Sequence, residues 1–319
     1  MRLRGIGPEV LLLCFLIVGA AAFALGRRSA RGRRLRRDVD YFAGLDHLVN
    51  DRYDRAAEVF TRLATSSQEA DIQFALGSLM RKRGEVDRAI AIHTQLAQHR
   101  EQAIREQATF ALGLDYLSAG LLDRAEEKLR DLLGSPQYRA AVLEKLAWVY
   151  EQQRDWRAAL DIWRELPVEK QRERAVVAAH YCCELGEAAL AANDVAAART
   201  QLAQARVHAA GAARVRVLAA RIAAAAGEES KALELYTEAL SESRAIQDAF
   251  LQEARGSLKT HAAELEARLA PLQTPDTTPL PPAARFRCQQ CGITSVTWHW
   301  RCPGCRSWDS LQSVNNRAH

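Results

Sequence analysis

Through the middle of the chain, small and apolar residues recur with a period near 34. Phe74–Leu96 (FALGSLMRKRGEVDRAIAIHTQL) and Phe110–Leu132 (FALGLDYLSAGLLDRAEEKLRDL) share F-A-L-G, a glycine seven residues later, and D-R-A. Six alanines carry the register: Ala56, Ala89, Ala125, Ala159, Ala198 and Ala232, at spacings of 33, 36, 34, 39 and 34. Twelve residues before each stands a small residue: Gly44, Gly77, Gly113, Ala147, Gly186 and Ala220. Four residues after each come Phe60, His93, Leu129, Trp163, Leu202 and Tyr236, one helical turn away and therefore on the same face. Two antiparallel helices that cross closely require small residues at the crossing, so each period predicts a helix pair. His93 breaks the large apolar pattern and is expected to be tolerated at a partly exposed position.

Turn residues agree with this division. Gly84-Glu85-Val86, Asn193-Asp194-Val195 and Gly227-Glu228-Glu229 place glycine or asparagine where a first helix would end in a left-handed cap. The pattern resembles the tetratricopeptide repeat, a helix pair of about 34 residues that stacks into a solenoid. Beyond the sixth repeat, Leu251, Ala254, Leu258, Ala262, Leu265 and Leu269 form one stripe at 3/4 spacing, predicting a capping helix. About six repeats plus this cap fill residues 38–270. By the usual groove positions of such repeats, a partner would meet Arg81, Lys82, Glu144, Trp148 and Glu151 on the first helices.

Two stretches leave the pattern. Residues 10–26 (VLLLCFLIVGAAAFALG) carry no charge and are just long enough to span a bilayer. Seven arginines follow between Arg27 and Arg37. A cleavable signal carries its charge before the apolar run, whereas this block comes after it and resists translocation. Residues 1–26 are thus read as a tail and transmembrane helix, 27–37 as a cytoplasmic juxtamembrane segment, and all that follows as cytoplasmic. The arginines also suit anionic lipid headgroups. At the other end, residues 271–282 hold five prolines, an extended linker reaching to 285.

Charge confirms the division rather than adding a function. The net charge is +5, but residues 1–37 contain nine arginines against one acid, so the remaining chain is acidic. A folded body with no cationic excess excludes a nucleic-acid-binding role. Only Pro136 and Pro167 lie between Pro8 and Pro271, as a mostly helical body requires. No phosphate loop, nucleophile elbow or zinc-protease motif occurs, and acidic pairs such as Glu126-Glu127 read as solvated helix faces. The chain is not expected to be an enzyme.

Candidate chemistry is confined to residues 286–319. Cys288-Gln-Gln-Cys291 and Cys302-Pro-Gly-Cys305 form two C-x-x-C turns ten residues apart. Each offers two thiolates, and together they close a tetrahedral S₄ site suited to zinc or a single iron. His299 is read as a surface or packing residue, since four sulfurs complete the sphere. Trp298, Trp300 and Trp308 would supply the aromatic core of so small a module. Cys182 and Cys183 read as small buried helix residues, and Cys14 lies in the apolar run. The cysteine usage fits a reducing compartment.

With FRCQQCG…WRCPGCRSWDS at its close, the order of anchor, repeats and cysteine turns resembles the lipopolysaccharide assembly protein B family of Gram-negative bacteria. The resemblance implies a non-enzymatic adaptor on the cytoplasmic face of the inner membrane. Its implied role is to promote degradation of the lipid A pathway deacetylase by a membrane-bound AAA+ zinc protease and to gather other lipopolysaccharide assembly proteins. It further implies a rubredoxin-type module binding one iron per chain at Cys288, Cys291, Cys302 and Cys305. The first turn lacks the usual proline, and Arg306 stands where glycine usually follows the cysteine, so iron and zinc both stay open. Two other readings compete: a redox protein using an S₄ iron, and a generic repeat scaffold for envelope assembly with structural zinc.

Overall fold

The computed structural model describes residues 39–66, 69–270 and 285–314. The apolar run, the arginine block and the proline-rich stretch lie outside these residues. Among the described residues no helix is long and apolar enough to cross a membrane. The chain divides into two compact units, Met1–Lys145 and Leu146–His319.

The first unit begins with helix α1 over 39–49. It continues through α2 (Tyr53–Ser66), α3 (Ala70–Lys82), α4 (Val86–Leu96), α5 (Gln102–Ser118) and α6 (Leu122–Arg130). Helix α7 (Arg139–Gln153) carries the chain into the second unit. There follow α8 (Trp156–Glu165), α9 (Val168–Glu173), α10 (Ala175–Ala191), α11 (Val195–Ala209), α12 (Ala213–Ala225), α13 (Glu229–Ser241), α14 (Arg244–Ser257) and α15 (Ala262–Leu269). Strands β1 (Phe286–Cys288), β2 (Thr294–Ser295) and β3 (Leu311–Ser313) form a sheet of order β2-β1-β3, with both pairings antiparallel.

All six register alanines are fully buried, at 0% exposure, which fixes them as the crossing points of the helix pairs. The small residue opposite is equally constrained. A Cβ added at Gly44 would lie 2.9 Å from the Phe60 ring, and one at Gly113 would lie 3.0 Å from Leu129. At Gly186 the clash comes instead from Leu218, on the first helix of the next pair. The turns show a regularity wider than the sequence pattern. Asp51, Gly84, Gly120, Arg154, Asn193 and Gly227 all have positive φ, and each lies five residues before its alanine. Arg154 and Asp51 adopt the conformation without being glycine, at a steric cost of about 1 kcal/mol. The long spacing between Ala159 and Ala198 accommodates the extra helix α9.

His93 departs from the partly exposed position expected of it. It is fully buried. Its Nδ1 lies 2.5 Å from Asp115 Oδ2, and Arg81 donates to Asp115 Oδ1 at 2.6 Å. The ring stacks on Phe74, and Nε2 would sit 2.5 Å from a Cβ at Gly77. The absence of a side chain at Gly77 makes room for an imidazole, and the buried Asp115 supplies its partner, so a polar residue fills an apolar register position.

The stripe from Leu251 to Leu269 is one buried face but two helices rather than one. Ala254, Leu258, Leu265 and Leu269 are all at 0% exposure in a core shared with Tyr236 and Phe250. The break falls after Gly256-Ser257, both weak helix formers, where Thr260 donates to Glu229 of α13 and folds α15 back.

Candidate metal centre

The cysteine turns are two copies of one backbone design. Cys288 ends β1, and its N–H donates to Ile293 O at 2.9 Å while Gly292 N–H donates to Cys288 O at 3.0 Å. In the second turn Cys302 N–H donates to Ser307 O at 2.9 Å and Arg306 N–H to Cys302 O at 2.9 Å. The residue after the second cysteine is left-handed in both, with φ of 75° at Gly292 and 62° at Arg306. Arg306 therefore occupies a position that glycine would take more readily, and the turn keeps its shape regardless.

The turns bring four sulfurs together. Cys288 and Cys305 Sγ are 3.6 Å apart, Cys291 and Cys302 Sγ are 3.7 Å apart, and all four lie within 4.8 Å of one another. A tetrahedral site with metal–sulfur bonds of about 2.3 Å has sulfur–sulfur edges of about 3.8 Å, so the cage fits such an ion. Cys288 and Cys302 are buried and Cys291 and Cys305 exposed, so one side of the cage reaches solvent.

The electrostatics favour thiolates that need a cation. The Ser310 hydroxyl, with the N–H groups of Cys291 and Gln290, pulls Cys288 down to about 6. Ser307, through its side chain and its N–H, lowers Cys305. Cys291 is held down by the Ile293 N–H, but desolvation and the neighbouring cysteines outweigh this and push it up to about 11. Four thiols this close cannot all ionise unaided, and a bound metal ion removes the conflict. His299 hydrogen-bonds Thr297 at 3.0 Å.

The module's own core is small: Phe286, Cys288, Cys302 and Leu311, with Trp298 against Phe286. The other two tryptophans do not build that core as expected. They face the helices of the second unit. Trp308 stacks on His180 of α10 at 4.6 Å and meets Trp156 edge-on, and Trp300 stacks on Phe250 of α14 at 5.3 Å. The guanidinium of Arg214, on α12, sits 5.7 Å from both Trp300 and Trp308. Its other contacts are Glu184 at 2.7 Å and Glu187 at 2.9 Å. Polar bonds fix the edges. Arg301 donates to Glu151 O at 2.8 Å and to its carboxylate at 3.0 Å, and His180 Nε2 lies 2.7 Å from Asp309. Ser313 donates to Asp248 at 2.9 Å. The module thus lies across the first helices α7, α10, α12 and α14.

This packing redraws the expected partner surface. Glu151 is buried, held by Arg301 and by the Tyr181 hydroxyl, and is not available to an outside partner. Arg81 is committed to Asp115, and Lys82 lies 5.5 Å over the Tyr53 ring. Glu144 is exposed, and Trp148 keeps 39% of its surface. The docking residues His180, Tyr181, Arg214 and Phe250 carry no motif. The one hint is Arg214 and Arg221, seven apart on one face of an otherwise alanine-rich helix.

Comparison with known proteins follows the same division. A tetratricopeptide repeat model matches residues 41–102, 110–170 and 183–249, well over half of the chain. The chain belongs to the tetratricopeptide repeat family. A second model, described as a rubredoxin metal binding domain, matches residues 286–313. This repeat protein also has curated homologues over nearly its full length. Lipopolysaccharide assembly protein B of Escherichia coli (strain K12) is 28% identical over 96% of this chain and 98% of its own. The protein of the same name from Haemophilus influenzae is 23% identical over 98% of this chain and 99% of its own. Among solved structures, the C-terminal part of a repeat protein from Cytophaga hutchinsonii aligns with a TM-score of 0.47 at 15% identity, covering 72% of this chain and 94% of that one.

Proposed function

We propose that the protein is a non-enzymatic adaptor in lipopolysaccharide assembly, held at the bacterial inner membrane by residues 1–26 with its repeats in the cytoplasm. The observation that carries this reading is the extent of the homology. Relatives named for lipopolysaccharide assembly match repeats and cysteine module together, over 96% of the chain, and not the repeats alone. A helical repeat scaffold suits the recruitment of proteins. The finer role is to promote degradation of the lipid A pathway deacetylase by a membrane-bound AAA+ zinc protease. Tethering favours such a role because it raises the effective concentration of partners at the membrane.

Cys288, Cys291, Cys302 and Cys305 would hold one ion per chain, iron in rubredoxin fashion or zinc. When bound, the ion cross-links the two turns and so stabilises the module. The chain's residues do the rest: Ser310 and Ser307 stabilise thiolates, and Trp300, Trp308 and Arg301 seat the module on the helices.

The test compares full-length protein, a variant lacking residues 1–26 and Cys288→Ser in cells deleted for the gene. The readouts are deacetylase half-life and lipopolysaccharide content, with metal content of the purified proteins. Deletion should lengthen the half-life and raise lipopolysaccharide. The anchorless form should restore regulation only when overproduced, and Cys288→Ser should lose metal. A half-life unchanged by complete deletion would rule out the adaptor role.

A further inference from the structure

Strand β3 is the outer strand of the module's sheet, paired to β1 on one side only. Gln289 N–H donates to Ser310 O, and Val314 N–H donates to Arg285 O. In an antiparallel ladder the residues between, Leu311 and Ser313, occupy the positions whose N–H and C=O point away from the partner. No hydrogen bond from any described residue reaches those four groups. Leu311, Gln312 and Ser313 all line one cleft of about 740 Å³. Alternating side chains cannot place three consecutive residues on one wall, so it is the edge of the strand that faces the cleft.

The rest of the lining comes from the repeats and from two tryptophans of the module. Ala209, Ala212, Ala213 and Ala245 form an alanine wall, Val176 stands 45% exposed, Glu242 and Arg244 add charge, and Trp298 and Trp300 complete the lining. Unpaired backbone groups facing a cleft of mixed lining specify the occupant. Two N–H/C=O pairs, two residues or about 6.7 Å apart along an edge, are matched by the backbone of another extended chain. Small molecules and lipid tails offer no such repeat.

We propose that this cleft binds an extended peptide segment of a partner protein, added antiparallel or parallel to β3 as a further strand, with alternate apolar side chains against the alanine wall. The site lies beside the helix faces that the module covers, so docking of the module creates a binding edge while removing Glu151 from the surface. The inference stands independently of the lipopolysaccharide role.

The probe is a phage-displayed random decapeptide library selected on the purified full chain in detergent, followed by synthesis of the best binder. Selected peptides should be apolar at alternate positions. Hydrogen exchange at single-amide resolution should slow at least tenfold at Leu311 and Ser313 when the peptide binds. Ser313→Pro removes one outward N–H without breaking the β1 pairing and should weaken binding at least tenfold. Val176→Arg fills the cleft from the helical wall and should do the same, which keeps the test decisive if the proline variant misfolds. No enrichment of peptides, unchanged exchange at both amides, or full binding by Val176→Arg would overturn the proposal. Concentration-dependent dimerisation abolished by Ser313→Pro would also overturn it, assigning the edge to a second copy of this chain.

Discussion

Replacing Arg214 by alanine should be the most damaging single change in the second unit outside its metal cage. Only 2% of the side chain is exposed, and its guanidinium bridges Glu184 and Glu187 while lying between Trp300 and Trp308. Breaking a buried ion pair by removing one partner costs about 3–5 kcal/mol, because the remaining charge is stranded. Here the stranding is partial. The glutamates keep 19% and 27% side-chain exposure and have second cations, Arg154 at 3.6 Å and Arg221 at 3.1 Å. That places the ionic part near 3 kcal/mol, and loss of the two ring contacts adds about 1 kcal/mol or more. Arg214→Lys keeps the charge but not the planar fork, so about half the loss should remain.

Urea unfolding followed by tryptophan fluorescence measures this cleanly. All six tryptophans lie beyond residue 145, so the signal reports the second unit alone. With a slope of about 2 kcal/mol per M, the midpoint should fall by about 2 M in Arg214→Ala. A fall of less than about 0.5 M would show that Arg214 is a passive filler and that the module is held by its other contacts.

Three smaller outcomes follow from the same packing. Gly77→Ala should cost about 1–3 kcal/mol, read from the melting of the first unit by circular dichroism, because Phe74 and Asp115 hold the His93 ring against the new methyl. Arg154→Gly should raise the stability of the second unit by about 1 kcal/mol, since φ of 59° suits glycine; a loss would mean that its pairing with Glu184 matters more. Burial pushes Cys182 up to about 11 and Cys183 up to about 12. At pH 8 the latter is thiolate in only about one molecule in 10⁴, so iodoacetamide should label neither in the native chain and both in guanidinium. Native labelling counted by mass spectrometry would contradict their burial.

The repeats were legible because their signal is steric and local. A glycine at 113 and a leucine at 129 each constrain the other, and the constraint survives in the letters. The four cysteines were legible for the same reason, since C-x-x-C encodes its own turn. His93 was not, because its partner Asp115 lies a whole repeat away and looks like any solvated acid on a helix. Trp300 and Trp308 were misplaced for a related reason. A tryptophan near a metal turn looks like core, and nothing local says that its ring faces Phe250 or His180 instead. What the letters lacked in each case was the identity of a distant neighbour.

Distance along the chain also explains why the module and the helices depend on each other. A core of four buried residues cannot hold a sheet of eight strand residues by itself. Ligation would supply part of the deficit by fixing both turns at once, and docking supplies more by packing the partly buried Trp298 and Trp300 against the core of α12 to α15. The dependence runs the other way too. Arg214 and Glu151 sit at or below 6% exposure and both touch the module, Arg214 through Trp300 and Trp308 and Glu151 through Arg301. An undocked module would leave a row of first helices with a guanidinium, two carboxylates and the rings of Tyr181 and Phe250 open to water. Docking therefore decides which surface the repeats show. With the module seated, Glu151, His180, Tyr181, Arg214 and Phe250 are engaged, whereas Glu144 and Trp148 on α7 and the edge of β3 stay open.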